Sequence, residues 1–212
     1  MRVEDLSFLD PRQNLDYDDQ LLNLADRQGA GEVLRFWESP SVFVVLGRTC
    51  QEEADVDSGA CAQDGIPVLR RSSGGGTVVQ GPGCLNFSLI LSKVRHQDLA
   101  SIPRSYEFIL LRVLNVLKGA GVSAGFRPIC DLVLSSDEKK FSGNAQRRGR
   151  GYILHHGTIL YNADLSLISR YLRMPSRMPE YRRTRPHADF ITNVSLDVPA
   201  FKERMGKTFS VL

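Results

Sequence analysis

The chain has 212 residues, 42% of them hydrophobic and 24% charged, with a formal net charge of +3. That length suits one large domain with a sizeable core, and the composition is too apolar for a disordered chain. So small a positive charge gives no footing to a nucleic-acid partner, and no apolar run approaches the ~20 residues a membrane helix needs. The four cysteines (Cys50, Cys61, Cys84, Cys130) lie far apart with no Cys-x-x-Cys pair, so neither a zinc site nor a disulfide framework is signalled. The start, Met1-Arg2-Val3-Glu4-Asp5, carries acids where a secretory leader would carry a long apolar segment. The expectation is a soluble, cytoplasmic protein with reduced cysteines.

From the N-terminus, Asn14 offers a cap, and Leu15, Leu21, Leu22, Leu24 and Ala25 recur at helical spacing. They predict an amphipathic helix over 14–25 that ends near Gly29 and Gly31. Residues 32–37 and 41–47 are β-rich with Pro40 between them, predicting a hairpin or two neighbouring strands. A short helix over 55–63 leads to a strand over 66–69, a glycine-rich stretch and a further strand over 86–91. Ser105 opens the strongest helix: Tyr106, Ile109, Leu110, Val113, Leu114 and Leu117 share one face, and Gly119 and Gly121 stop it. Asp131–Leu134 and Tyr152–Leu160 read as strands around a polar turn. Asp164 caps a helix through about Leu172, and prolines at 175, 179 and 186 make the following chain irregular. A closing helix begins at Asp197 with Pro199 in its first turn. No repeat or composition break divides the chain, so residues 1–212 read as a single α+β (α/β) domain with a mixed β-sheet flanked by helices.

One stretch stands apart: Arg70-Arg71-Ser72-Ser73-Gly74-Gly75-Gly76-Thr77-Val78-Val79, set between two apolar runs. Three consecutive glycines leave the backbone unshielded, and arginine supplies forked donors for phosphate or carboxylate. Such a loop suits an anionic or extended ligand; a glycine-rich hairpin with a solvated arginine pair has the same composition. Downstream, Lys139-Lys140-Phe141-Ser142-Gly143-Asn144-Ala145-Gln146-Arg147-Arg148 sets a lysine before small residues, along which a ligand could lie while the ammonium meets an anion. A pair of solvated turn lysines is the plain alternative. His155-His156-Gly157-Thr158 follows. Adjacent residues of a strand point to opposite faces, so the two histidines do not form a metal pair, and no spaced carboxylate or cysteine joins them.

Taken in order, Arg-Arg-x-Ser-Gly-Gly-Gly-Thr-Val, Gly-x-Leu-Asn-x-Ser, Asp-Leu, Lys-x-Ser-Gly-Asn-Ala-Gln-Arg-Arg and His-His-Gly-Thr-Ile-Leu resemble the lipoate–protein ligase A family. That family lies within the biotin/lipoate ligase catalytic-domain superfamily, and the resemblance spans residues 12–194. It implies that lipoate and ATP form lipoyl-AMP, with Mg2+ accompanying the nucleotide, and that a lysine of an acceptor domain then takes the lipoyl group. On the matching positions, Lys140 is the catalytic residue. Arg71, Gly76, Thr77, Val78 and Val79, with Lys140, bind ATP and lipoyl-AMP. Ser73, Gly74, Gly75, Ser142, Gly143, Ala145, His156 and Gly157 surround the lipoate. No carboxylate cage for the metal is evident. The implied partners are acidic lipoyl acceptor domains of 2-oxoacid dehydrogenase or glycine-cleavage type, without nucleic acid or membrane.

Two departures from the family pattern matter. Members that complete both steps carry a C-terminal accessory domain or borrow one, whereas this sequence stops soon after Asn193, so a separate activation partner is an expectation. Cys130 stands where octanoyl- and lipoyl-transferring relatives keep an acyl-carrying cysteine, but closer to the lysine than in those relatives. The alternatives are therefore an ATP-independent acyltransferase using a Cys130 thioester, with Cys130 otherwise a small buried residue, and a non-catalytic module that binds lipoate or a carrier. Arg147, Arg148, Arg150, Arg170, Arg173, Arg177, Arg182, Arg183 and Arg185 cluster late in the chain, either as a rim that steers acidic partners or as ordinary surface.

Overall fold

The computed structural model describes residues 1–128, 130–175 and 178–211. Two sheets share the molecule. The larger holds β1 (Arg2–Asp5), β2 (Val33–Trp37), β6 (Cys84–Ser92), β7 (Ala124–Arg127), β8 (Asp131–Leu134), β9 (Lys140–Arg148) and β10 (Tyr152–Leu160), in the order β1-β2-β6-β10-β9-β8-β7. Its β1–β2 pair is parallel and the remaining pairs are antiparallel. The smaller sheet sets β3 (Phe43–Leu46) between β4 (Val68–Arg70) and β5 (Val78–Gln80).

Strand alternation sorts side chains between the two faces of the large sheet. Leu34 and Phe36 of β2 and Leu85, Phe87, Leu89 and Leu91 of β6 join the main core. Against them pack α4 (Ile102–Gly119) and α7 (Val198–Ser210), which bring Ile109, Leu110, Val113, Phe201, Met205 and Phe209. Burial of each large aliphatic side chain there contributes about 1.5–3 kcal/mol. The helix ends are set locally: Ser101 accepts from the Arg104 N–H, and Asp197 accepts from the Ala200 N–H with Pro199 in the first turn.

The opposite face carries α1 (Pro11–Gln28) and the small sheet. Here Val33, Ile90 and Leu154 meet Leu21 and Leu22 of the helix, while Trp37 packs with Phe43 and Val45. Arg35 also points this way, is fully buried, and fastens α1 to β2. Its Nη1 donates to Asp18 Oδ1 at 2.7 Å and to the Asn14 carbonyl at 2.9 Å; Nη2 donates to Asn14 Oδ1 and Nε to the Leu6 carbonyl. Rings of Phe8, Tyr17 and Trp37 surround the guanidinium.

Several elements differ from the sequence expectation. The first helix starts at Pro11, because Asp10 rather than Asn14 caps it, and it ends where Gly29 turns left-handed at φ 64°. Asn14 is internal and buried under Arg35. β2 and β3 are neither a hairpin nor neighbours: the chain between them, with Pro40, carries it from one sheet into the other. The single helix over 55–63 is two, α2 (Glu52–Asp55) and α3 (Ser58–Asp64). The supposed polar turn after β8 holds a nine-residue strand, β9, in the interior of the large sheet. The helix expected from Asp164 is α5 (Ser166–Tyr171), whose N-cap position is Leu165, while Asp164 Oδ1 accepts from the Ser166 N–H.

Arg35→Met leaves the Asp18 carboxylate buried without its cation, so urea unfolding should show a loss of about 3–5 kcal/mol. Adding Asp18→Leu to that variant should restore most of the loss, since the isolated charge is then gone.

Candidate functional site

The faces of the two sheets meet in a cleft of about 150 Å³, many times the roughly 10–15 Å³ that one water needs in this measure. Its floor is polar because β6 and β10 turn Asn86 and Thr158 away from the main core. Gln80 of β5 donates to Thr158 Oγ1 at 2.7 Å, Thr158 donates to Asn86 Oδ1 at 2.6 Å, and Asn86 donates to Gln80 Oε1 at 3.0 Å. This closed ring joins both sheets at the cleft. Deeper in, Leu15, Trp37, Val45 and Leu154 make an apolar wall.

The glycine stretch is one wall. Arg71 turns its guanidinium into its own loop: Nη2 donates to the Gly74 carbonyl at 2.7 Å and the Gly76 carbonyl at 2.8 Å, and Nε donates to Ser73 Oγ at 3.1 Å. Burial lowers its pKa to about 10, which leaves it cationic at neutral pH. Gly75 sits at φ 85°, a conformation side chains resist, and its carbonyl lies 2.0 Å from where a Cβ on Gly47 would stand. On the far side Arg70 donates to the Gly47 carbonyl at 2.9 Å and the Cys50 carbonyl at 2.8 Å. Arg70 at the end of β4 and Arg71 just beyond it thus brace two loops. Ser72 donates to Asp19 Oδ1, which also pairs with Arg147 at 2.7 Å, and Thr77 donates to Asp55.

The facing wall is the β8–β9 hairpin. Leu132 pairs with Ser142 and Val133 with Lys140, so Phe141 is an extra residue on β9. The irregularity turns Phe141 into the core and brings Lys140 and Gly143 to the cleft. Lys140 folds over Gly143, whose absent side chain would stand 3.0 Å from the ammonium. Its Nζ is 2.7 Å from Asp131 Oδ1, and Tyr181 donates to Asp131 Oδ2 at 2.6 Å. Cys130 lines the same cleft, half-buried; burial, with Asp131 beside it, pushes its thiol pKa up and so favours the protonated form.

The histidines separate as strand geometry requires. His156 faces the cleft, with Nε2 2.6 Å from Ser73 Oγ, so it ties the floor to the glycine wall. Burial and the nearby Arg71 lower its pKa well below the usual range. His155 faces the core, where Phe87 stacks on it and Tyr106 meets its edge. Its Nδ1 accepts from Gln146 and its Nε2–H donates to Asn144 Oδ1; Asn144 in turn donates to the Cys130 carbonyl at 2.8 Å. Burial lowers the His155 pKa to about 3. The buried ring therefore orients the amide that holds the start of β8.

The sequence-derived residues divide by location. Arg71, Ser73, Gly75, Gly76, Thr77, Val78, Cys130, Lys140, Gly143, Ala145 and His156 line the cleft. Gly74, Val79, Ser142 and Gly157 do not: Gly74 supplies a carbonyl to Arg71, Val79 packs in the small-sheet core, and buried Ser142 accepts from Asn144. A Cβ on Gly157 would stand 2.0 Å from Asn144 Oδ1, so this glycine makes room for the amide behind the cleft. Asp131, Asn144, Tyr181, Trp37 and Asp18 are given no role from the sequence; Asp131, Asn144 and Tyr181 fall inside ordered motifs, whereas nothing marks Trp37 or Asp18. Among the described residues, no group of three or more His, Cys, Asp or Glu side chains is placed to hold a metal ion.

Much of the arginine cluster is not a rim. Arg182 is buried, Arg185 donates to the carbonyls of residues 138, 181 and 182, and Arg148 donates to those of residues 99 and 100. Arg170 pairs with Asp64 and Arg173 donates to the Val56 carbonyl. Arg150 and Arg183 are exposed. Arg177 lies outside the described residues.

A family model described as the lipoyl protein ligase A/B catalytic domain matches residues 10–210. A Mycoplasma pneumoniae protein named "Probable lipoate-protein ligase A" is 30% identical over 184 residues, covering 84% of this chain and 52% of its own length. The chain spans 37–53% of the length of the curated relatives it matches. Among solved structures, the bi-partite lipoate protein ligase of Thermoplasma acidophilum superposes with a TM-score of 0.84 at 26% identity, over 99% of this chain and 82% of that one. A lipoate-protein ligase A bound with ATP gives 0.82 at 25% identity, over 99% and 84%.

Two variants test this geometry. Gly47→Ala has no space beside the Gly75 carbonyl, so it should displace the glycine loop and weaken ligand binding in the cleft by at least tenfold in calorimetric titration. The unfolded chain accepts protons on His155 from about pH 6.5 downward, whereas the folded state refuses them until about pH 3. Stability should therefore fall as pH drops below 6.5, and His155→Gln should show a shallower fall in thermal melts between pH 6.5 and 5.

Proposed function

The chain belongs to the lipoyl protein ligase A/B catalytic-domain family, and from that premise we propose that it attaches lipoate to a lysine of an acceptor domain through lipoyl-AMP. The observation that carries this reading is Lys140, held by Asp131 at 2.7 Å across the cleft from the Arg71-braced glycine loop. It unites a cation, exposed loop backbone and an apolar wall, which are what a ligand part phosphate and part hydrocarbon requires.

In the first step a carboxylate oxygen of lipoate attacks the α-phosphorus of MgATP, and pyrophosphate leaves with the bonding pair. The metal belongs to the nucleotide substrate, because the cleft offers carboxylates singly rather than as a cage. Lys140 exchanges Asp131 for the acyl phosphate and neutralises charge on its oxygens. In the second step the unprotonated ε-amine of the acceptor attacks the acyl carbonyl; AMP departs with the bonding pair and the new amide nitrogen gives up a proton. Negative charge gathers first on phosphoryl oxygens and then on the carbonyl oxygen, within reach of the same ammonium. Leu15, Trp37, Val45 and Leu154 line the path for the acyl chain, and Ala145 keeps its entrance open.

The implied macromolecular partner is a lipoyl acceptor domain, as in the Thermoplasma acidophilum system, whose ligase was described with its E2 lipoyl domain. All four cysteines are free, which agrees with a reducing, cytoplasmic location.

The test has two arms: apo acceptor with lipoate and MgATP, and apo acceptor with preformed lipoyl-AMP, each read by the acceptor's mass. Modification in the second arm alone would assign activation to a further domain, and none in either would refute the reading. Lys140→Ala should lose about 10²-fold or more in transfer rate at an unchanged melting temperature. A second reading, acyl transfer through a Cys130 thioester, has in its favour that the thiol lines the cleft; the raised thiol pKa opposes it. Cys130→Ser should keep wild-type activity, whereas its loss together with a thioester-mass adduct on the wild type would favour transfer.

A further inference from the structure

The segment after α5 reaches Lys140 once directly and once through Asp131. Thr192 donates its N–H to the Lys140 carbonyl at 3.0 Å, and Tyr181 donates its hydroxyl to the carboxylate that holds the Lys140 ammonium. Neither contact is local, since Tyr181 lies 50 residues from Asp131. The segment is heavily braced for this placement. Arg185 donates to the carbonyls of Tyr181 and Glu138, and Arg182 donates Nε to the Arg185 carbonyl at 2.9 Å. Both guanidinium groups lie over the Phe190 ring, at 4.6 and 5.2 Å, and that ring meets the Tyr181 ring at 5.4 Å. So dense a clamp around one half-buried tyrosine fixes where its hydroxyl sits.

We propose that Tyr181 is a positioning residue for Lys140, acting through Asp131. With Oδ2 occupied by the tyrosine hydroxyl, Asp131 presents only Oδ1, and it presents it at one angle. The Asn144 amide holds the preceding carbonyl, so the carboxylate is oriented from both its main chain and its outer oxygen. The ammonium is thereby parked over Gly143 at the cleft, one short rotation from an incoming acyl phosphate. Without the hydroxyl, Asp131 turns freely and Lys140 samples poses away from the cleft. The cost then appears in the chemical step rather than in binding, because Tyr181 does not line the cleft. This inference rests on Lys140 serving the ligase reaction, so its test includes a measurement that needs no turnover.

Tyr181→Phe keeps the ring on Phe190 and removes only the donor. Transfer from lipoyl-AMP should lose about tenfold in kcat with KM for the acceptor within twofold, the scale of one hydrogen bond to a charged group. Asp131→Asn should be slower still, and adding Tyr181→Phe to it should change nothing further, since the contact is already broken. Independently, lysines carrying reductively added ¹³C-methyl groups report the resting pose by NMR, with Lys140 assigned through Lys140→Arg. The Lys140 signal should move toward the solvent-exposed position in Tyr181→Phe and Asp131→Asn, while the Lys202 signal stays put. An unmoved signal, wild-type kcat, or additive effects in the double variant would overturn the proposal. An inactive wild type with a displaced Lys140 signal would instead refute the ligase reading and leave the positioning role supported.

Discussion

The Lys140–Asp131 ion pair is the interaction on which the rest of the cleft depends. Neither partner could hold its place alone. The extra residue Phe141 rotates the first residue of β9 toward the cleft, and Gly143 leaves room for the lysine stem. Asp131 is set by the β8–β9 ladder, by the amide of Asn144 and by the hydroxyl of Tyr181. Behind them, neutral His155 fixes which way that amide faces, at the cost of refusing a proton across the physiological range. A surface ion pair of this kind would add little stability. Its value here is that the cation waits beside the place where an anion arrives.

The two-sheet design explains why the cleft is at once polar and apolar. The central strands β6 and β10 give alternate residues to the α4–α7 core and to the opposite side, so Asn86, Ser88 and Thr158 are as obligatory as Phe87 and Leu89. Arg35 and Asp18 anchor α1 over that side, and Leu15 and Asp19 on the same helix reach the cleft. Arg71 closes the glycine loop from within, which frees the loop's outward backbone for a ligand. Arg71, which sequence alone suggests as an anion clamp, lines the cleft and also braces its own turn.

Local signals were legible where chemistry is local. Asp197 and Gly29 mark helix ends, and apolar periodicity places α4, β6 and β10, although α4 is capped by Ser101 rather than opened at Ser105. β9 was not legible, because the residues it gives the cleft are Lys140, Gly143, Asn144 and Ala145, so its apolar alternation is erased by the site it builds. The β2–β3 expectation failed for another reason: sequence proximity says nothing about which sheet a strand joins after a proline-bearing turn. The glycine loop and Lys140 stood out through ordered motifs, whereas Asp131 and Tyr181 gain meaning only when residues far apart in the chain meet. The late arginines show the same limit, since composition cannot distinguish a guanidinium that caps carbonyls from one that faces solvent.

The most direct measurement is a crystal structure of the protein with a sulfamate analogue of lipoyl-AMP, whose linkage resists aminolysis. The account predicts that Lys140 Nζ leaves Asp131 for the analogue's acyl carbonyl or sulfamate oxygen, with the hydrocarbon lying toward Trp37 and Leu154 and the Gly75–Gly76 backbone against the linkage. An analogue bound elsewhere, or bound in the cleft with Lys140 still on Asp131 and out of its reach, would contradict it.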